Sequence, residues 1–161
     1  MTADSLSHVD ATGRPVMVDV GGKPETDRRA VATGCLVMSA EAFARLSAGE
    51  APKGAVEPVA RIAGIQAAKR TSELIPMCHP LALSNVKVDI AQDESLPGLR
   101  ATAEVSCRGS TGVEMEALTA VSVALLAAYD MLKAIDRGMH VADVHLLEKH
   151  GGASGSWTAP L

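Results

Sequence analysis

Aromatic residues are nearly missing from this chain. They make up 2% of 161 residues, namely Phe43, Tyr129 and Trp157. Any core must therefore be aliphatic, and the stacking platforms that single-stranded nucleic acid needs are absent. Cysteine is scarce as well. Cys35, Cys78 and Cys107 are odd in number and far apart, which excludes a disulfide framework and a Cys-x-x-Cys zinc site. His79, His140, His145 and His150 have no metal-ligand spacing, so no structural metal is expected. Positive charge is outweighed: 15 Lys and Arg against 19 Asp and Glu leave a net charge of −4. That disfavours nucleic acid as a partner but leaves room for a local basic pocket. Neither a Gly-x-x-x-x-Gly-Lys-Ser/Thr loop nor a Gly-x-Gly-x-x-Gly turn after a strand occurs, so neither nucleotide-loop fold is supported. No apolar run reaches the ~18 residues of a membrane span, and Met1 to Asp10 carries no apolar signal region. The expectation is a cytoplasmic protein with no membrane partner.

Hydrophobic residues make up 47% and charged residues 21%, the balance of a folded globular chain. The length suits one domain, expected over 16–157, with a mobile polar tail at 1–15 and a short tail at 158–161. Val16 to Val20 is short and β-branched before Gly21-Gly22-Lys23-Pro24 breaks it. Arg29 to Met38 has strand composition. Ser39 can cap a short helix over Ala40 to Leu46, with Glu41 in its first turn. Ala48 to Pro58 is loop-like and holds one cation, Lys53. Val59 to Ser72 reads as a helix with Ile62, Ile65 and Ala68 on one face. Asn85 to Ala91 and Leu99 to Cys107 alternate apolar and polar, as strands with one buried face do, and Leu96-Pro97-Gly98 turns between them. Gly112 to Asp136 is the longest helical signal, with capping-box spacing at Thr111 and Glu114 and an end marked by Gly138. Val144 to Glu148 is a last short strand, and Gly151 to Ser156 is flexible in composition. The element order is βαββαβ, the α+β ferredoxin-like arrangement of an antiparallel sheet with helices on one face.

Four groups of residues could carry chemistry. The turn Pro76-Met77-Cys78-His79-Pro80 is pinned by its prolines. Its histidine can bind an anion or move a proton, or simply satisfy backbone; Cys78 reads best as a buried thiol. Gly112-Val113-Glu114-Met115-Glu116 places two carboxylates about 200° apart on a helix, which suits the macrodipole as well as a ligand. Asp130 and Lys133 are i,i+3 neighbours, either a surface ion pair or an acid–base pair. Lys53, Lys69-Arg70, Lys133 and Lys149 sit beside loops; Lys53 and Lys149 together could clamp phosphates. Glu116 and Asp130 lie near one helix face but roughly 21 Å apart along the axis. If both serve one reaction on a continuous helix, two subunits must share the site.

The segments MVDVGGKPETDRRA, ARIAGIQAAKRTSELIPMCHPLALSNVKVDI, TGVEMEALTAVSVALLAAYDMLKA and LLEKHGGASG together resemble the cyclic pyranopterin monophosphate synthase family, the molybdenum cofactor biosynthesis protein C group. The likeness runs from about Met17 to about Trp157. It implies a ferredoxin-like lyase that turns 3′,8-cyclo-7,8-dihydroguanosine 5′-triphosphate into cyclic pyranopterin monophosphate and pyrophosphate. It further implies a homohexamer, a trimer of dimers, with sites at subunit interfaces. Asp130, Lys133 and Lys53 would be catalytic. Met77, Cys78, His79, Glu114, Met115, Glu116, Lys149 and Lys69 would bind the purine-derived triphosphate. No cofactor is required, although Mg²⁺ can accompany the triphosphate. Gly21-Gly22 and Met77, where leucine is common, are minor departures. The different-class alternative is a non-catalytic nucleotide-binding regulatory module, which would need the cations but not Asp130 or Lys133.

Overall fold

A computed structural model describes residues 9–10, 12–153 and 155–160. The elements are β1 Thr26–Val37, α1 Ala40–Ser47, α2 Val56–Ala68, α3 Thr71–Leu74, β2 Leu83–Asp93, β3 Gly98–Gly109, α4 Glu114–Leu132, β4 His140–His150 and β5 Trp157–Thr158. The sheet order is β2-β3-β1-β4-β5, and every neighbouring pair is antiparallel. Its first four strands and the packed helices α2 and α4 form the expected ferredoxin-like α+β layer pair. Most of the tail expected at 1–15, residues 1–8 and 11, lies outside the described residues. Within it Val9 and Pro15 make an isolated bridge around Asp10, which accepts the Thr12 and Arg14 N–H groups at 2.8 and 3.0 Å.

The clean alternation of β3 is the pattern of a half-buried strand: Leu99, Ala101, Ala103, Val105 and Cys107 are buried and face the helices. The central strand β1 differs. Ala30 to Leu36 are buried without a break, because helices cover one face and long side chains from the flanking strands cover the other. On that second face Arg29 donates to Glu104 at 2.6 Å and to Glu148 at 2.6 Å, so one guanidinium ties three strands. Ser39 caps α1 as expected, its hydroxyl accepting the Ala42 N–H at 3.2 Å.

Several boundaries and faces depart from the sequence expectation. Val16 to Val20 is extended without strand pairing. The helix expected over Val59 to Ser72 starts earlier and breaks at Lys69-Arg70. Its buried side is Val56, Ala60, Gly64, Ala67 and Ala68, while Ile62 is 61% exposed. Close approach decides this: a Cβ on Gly64 would lie 2.8 Å from the Ala120 carbonyl of α4. The helices meet through their smallest residues, which leaves the isoleucine outside. The α4 helix stops at Leu132 with Lys133 as its cap, and Gly138 belongs to the following turn, its N–H held by Asp136 at 2.7 Å. Its N-cap is Val113 with no side-chain cap, so the Thr111–Glu114 capping box does not form. The last long strand begins at His140 rather than Val144, with register shifts against β1. By length and composition α4 could cross a membrane, contrary to the expectation of no such run; 56% of its apolar window is buried inside the fold, as in a core helix.

Candidate active site

Two adjoining cavities lie at the N-terminal end of α4. The larger, about 680 Å³, is walled by the start of β1, the turn after β3, and the end of β4. It gathers Lys23, Arg28 and Lys149 with the Ser110-Thr111-Gly112 backbone. The smaller, about 320 Å³, is lined by Met77, Cys78, His79, Met115 and Glu116. Lys23, Thr111, Gly112 and Glu114 border both, so the pair forms one elongated trough with a cationic end and an end built around His79 and Glu116.

Local restraints hold the His79 end in place. His79 sits one residue before Pro80, and its Nε2–H donates to the Val18 carbonyl at 2.9 Å. A carbonyl only accepts, so Nε2 carries a proton, and in the neutral ring Nδ1 is then the acceptor. Glu116 is only 4% exposed; burial pushes its carboxyl above the usual range, with the Glu114 charge adding to it. A carboxyl in that state can donate as well as accept. Burial, and then the Glu116 charge, also push the Cys78 thiol up, which keeps it protonated and makes a nucleophile there unsupported.

At the cationic end, Lys149 Nζ lies 2.8 Å from Glu114 Oε1. This pairing ties the first residue of α4 to the end of β4. Arg28 donates through Nε to the Gly109 carbonyl at 3.1 Å, and a side chain on Gly152 would overlap its Nη1. Gly152 has φ of +79°, so the glycine supplies both a left-handed turn and the space in which Arg28 lies. Sequence reasoning passed over Lys23 and Arg28; the glycine pair after Lys149 was the one available signal of a close approach.

Asp130, Lys133 and Lys53 meet at the opposite end of α4. Asp130 Oδ1 is 2.7 Å from Lys133 Nζ, and Oδ2 is 2.6 Å from Lys53 Nζ. Lys133 and then Lys53 hold the carboxyl down to about 2, while Asp130 pushes the Lys133 ammonium up. The cluster is about half exposed. Lys53 and Lys149 are therefore not one clamp within a chain, and α4 runs unbroken between Glu116 and Asp130, some 21 Å along the axis. Lys69 stands apart from both groups, in a depression of about 450 Å³ with Ile65, Leu81 and Leu83.

Residues 17–152 match the model of the MoaC family. The chain belongs to the MoaC family. It is 58% identical over 155 residues, 96% of this chain and 97% of the relative, to the cyclic pyranopterin monophosphate synthase of Methylobacterium sp. (strain 4-46). It is 57% identical, with the same coverage, to the protein of that name from Methylobacterium nodulans (strain LMG 21967 / CNCM I-2342 / ORS 2060). The match to the family model takes in Lys23, Arg28, His79, Glu116, Asp130 and Lys149, residues of both ends of α4.

Proposed function

We propose that this chain is a lyase of molybdenum cofactor biosynthesis, converting 3′,8-cyclo-7,8-dihydroguanosine 5′-triphosphate to cyclic pyranopterin monophosphate and pyrophosphate. The observation that carries this reading is the trough: a half-buried histidine and a buried carboxyl at one end, and Lys23, Arg28 and Lys149 at the other. Its shape matches a ligand with a purine-derived ring and a phosphate chain. His79 Nδ1 and the Glu116 carboxyl hold the ring and ribose by hydrogen bonds, and Glu114, Met77, Cys78 and Met115 shape their surroundings. Lys149, Lys23 and Arg28 neutralise charge on the phosphates and on the leaving pyrophosphate. Lys69 belongs to a neighbouring hollow that shares Leu81 with the trough.

Closing the cyclic phosphate requires a substrate hydroxyl to attack the α-phosphorus while the bond to pyrophosphate breaks. The hydroxyl loses a proton, and rebuilding the ring moves others. Asp130 and Lys133 are the coupled base and acid with Lys53 beside them, and a carboxylate held at about 2 by its ammonium partners becomes an acceptor once the substrate draws those partners onto itself. The two ends of α4 are too far apart to reach one ligand within a chain. The chemistry therefore belongs at an interface, with one protomer's Asp130–Lys133–Lys53 cluster facing its partner's trough, in a cytoplasmic homohexamer built as a trimer of dimers. No resident cofactor enters this scheme; Mg²⁺, where present, arrives as the counter-ion of the triphosphate.

Turnover of the cyclised dihydroguanosine triphosphate, followed by pyrophosphate release and pterin formation, tests the proposal. Asp130→Asn should abolish both products while the protein stays folded. Tight binding with no product from the unaltered protein would instead favour the non-catalytic nucleotide-binding module.

A further inference from the structure

Lys53 reaches Asp130 from the loop of residues 48–55, and the geometry at the base of that loop has no counterpart in the chemistry above. Ser47, the last residue of α1, donates through Oγ to Gln92 Oε1 at 2.7 Å. The same amide donates through Nε2 to Glu57 Oε1 at 3.2 Å, and Glu57 lies in the first turn of α2. One side chain near the end of β2 therefore grips both flanks of the Lys53 loop. Between the flanks the chain has two swivel points, Gly49 with φ of +76° and Gly54 with φ of +89°, neither with any neighbour at its Cβ position. The loop borders a hollow of about 370 Å³ that Gln92 also lines, and of its side chains Ala51 packs against the core. The first turn of α2 has no side-chain cap at Ala55, which removes another restraint.

We propose that Gln92 is a positioning residue: by bridging Ser47 and Glu57 it sets the closed position of the 48–55 loop and so the contact of Lys53 with Asp130. The inference rests on the reading of Lys53 as a catalytic residue. Gln92 touches none of Lys53, Asp130 and Lys133, so its loss acts only through the loop. Because Gln92 is exposed, Gln92→Ala removes two hydrogen bonds without opening the core.

Limited trypsin digestion of the full-length protein reads the loop directly, since cleavage after Lys53 requires that side chain to leave Asp130. Cleavage there, normalised to cleavage after Arg137, should rise about fivefold in Gln92→Ala, with kcat falling by a similar factor and KM changing less. Q92E places a carboxylate against Glu57 and should loosen the loop equally at neutral pH. The double variant Q92E/E57Q exchanges donor and acceptor across the same gap and should restore both cleavage and kcat, a rescue that a general loss of stability would not show. Unchanged cleavage in Gln92→Ala overturns the tether. Raised cleavage with wild-type kcat, while Lys53→Met is inactive, overturns the positioning role and leaves the proposed function standing. Full turnover in Lys53→Met removes the catalytic reading of Lys53 and this proposal with it.

Discussion

Gly152→Ala should weaken substrate binding through Arg28, a residue of β1 far away in the sequence. Gly152 sits at φ of +79°, and an added Cβ would overlap Arg28 Nη1. Two costs follow. Holding an L-residue in the left-handed region costs ~1–2 kcal/mol, borne by the turn after β4. Driving the guanidinium out of the trough forfeits charge-assisted hydrogen bonds to phosphate, of ~1.5–3 kcal/mol. The second cost appears in KM as a rise of roughly 10- to 100-fold, with kcat falling less because Asp130, Lys133 and Lys53 are untouched. Gly155→Ala is the control: its φ is +67°, yet nothing lies within 4 Å of the added carbon, so it carries the backbone strain without the collision. Steady-state kinetics on the cyclised triphosphate separates the two. Arg28→Ala should raise KM to a similar extent, and adding Gly152→Ala to it should do little more. A wild-type KM in Gly152→Ala, or an equal rise in Gly155→Ala, refutes the assignment of the effect to Arg28.

Three further outcomes follow from the same structure. Glu116 has its carboxyl pushed up by burial, so the fold favours its protonated form and loses that contribution as pH rises through the raised value; Glu116→Gln should raise Tm relative to the parent at pH 8 and give no such gain at pH 4, and an equal difference at both would refute the burial argument. A ¹³C NMR titration should show Asp130 ionised down to a midpoint of about 2, and Lys133→Met should move the midpoint back toward ~3.8 further than Lys53→Met does; equal shifts would contradict the order of the two influences. In Gly34→Ala the new Cβ would meet Val144 Cγ2 at 2.8 Å and Val121 Cγ1 at 2.9 Å, so overpacking should cost ~1–3 kcal/mol in chemical denaturation, and a neutral result would show that the β1–α4 contact yields easily.

Local pattern was enough for much of the fold. The alternation of Leu99 to Cys107 specifies a strand and its buried face, because side-chain direction in a strand follows from the backbone alone. Ser39 announces the start of α1 for a similar reason, since a cap satisfies backbone groups only three residues away. The i,i+3 pairing of Asp130 with Lys133 and the restraint on His79 between prolines are equally local. Ile62 shows where that logic ends. Periodicity placed it inward, but the side of α2 that faces the core depends on which residues let α4 come closest, and Gly64 decides that only when Ala120 is opposite. Glu114 likewise has capping-box spacing, yet the helix begins only after Val113 and the carboxylate binds Lys149, thirty-five positions away.

By itself, then, the sequence determined the aliphatic α+β layers, the main strands and helices, and the residue types able to hold a ring, carry phosphate and move a proton. Only the tertiary structure decided how those residues are grouped. It set Lys149 and Arg28 beside His79 and Glu116, and brought Lys53 across seventy-seven positions to Asp130 at the far end of α4. The physical reason is that backbone conformation and capping act over a few residues, whereas ion pairs and close packing depend on distances that exist only once the strands are registered and the helices seated.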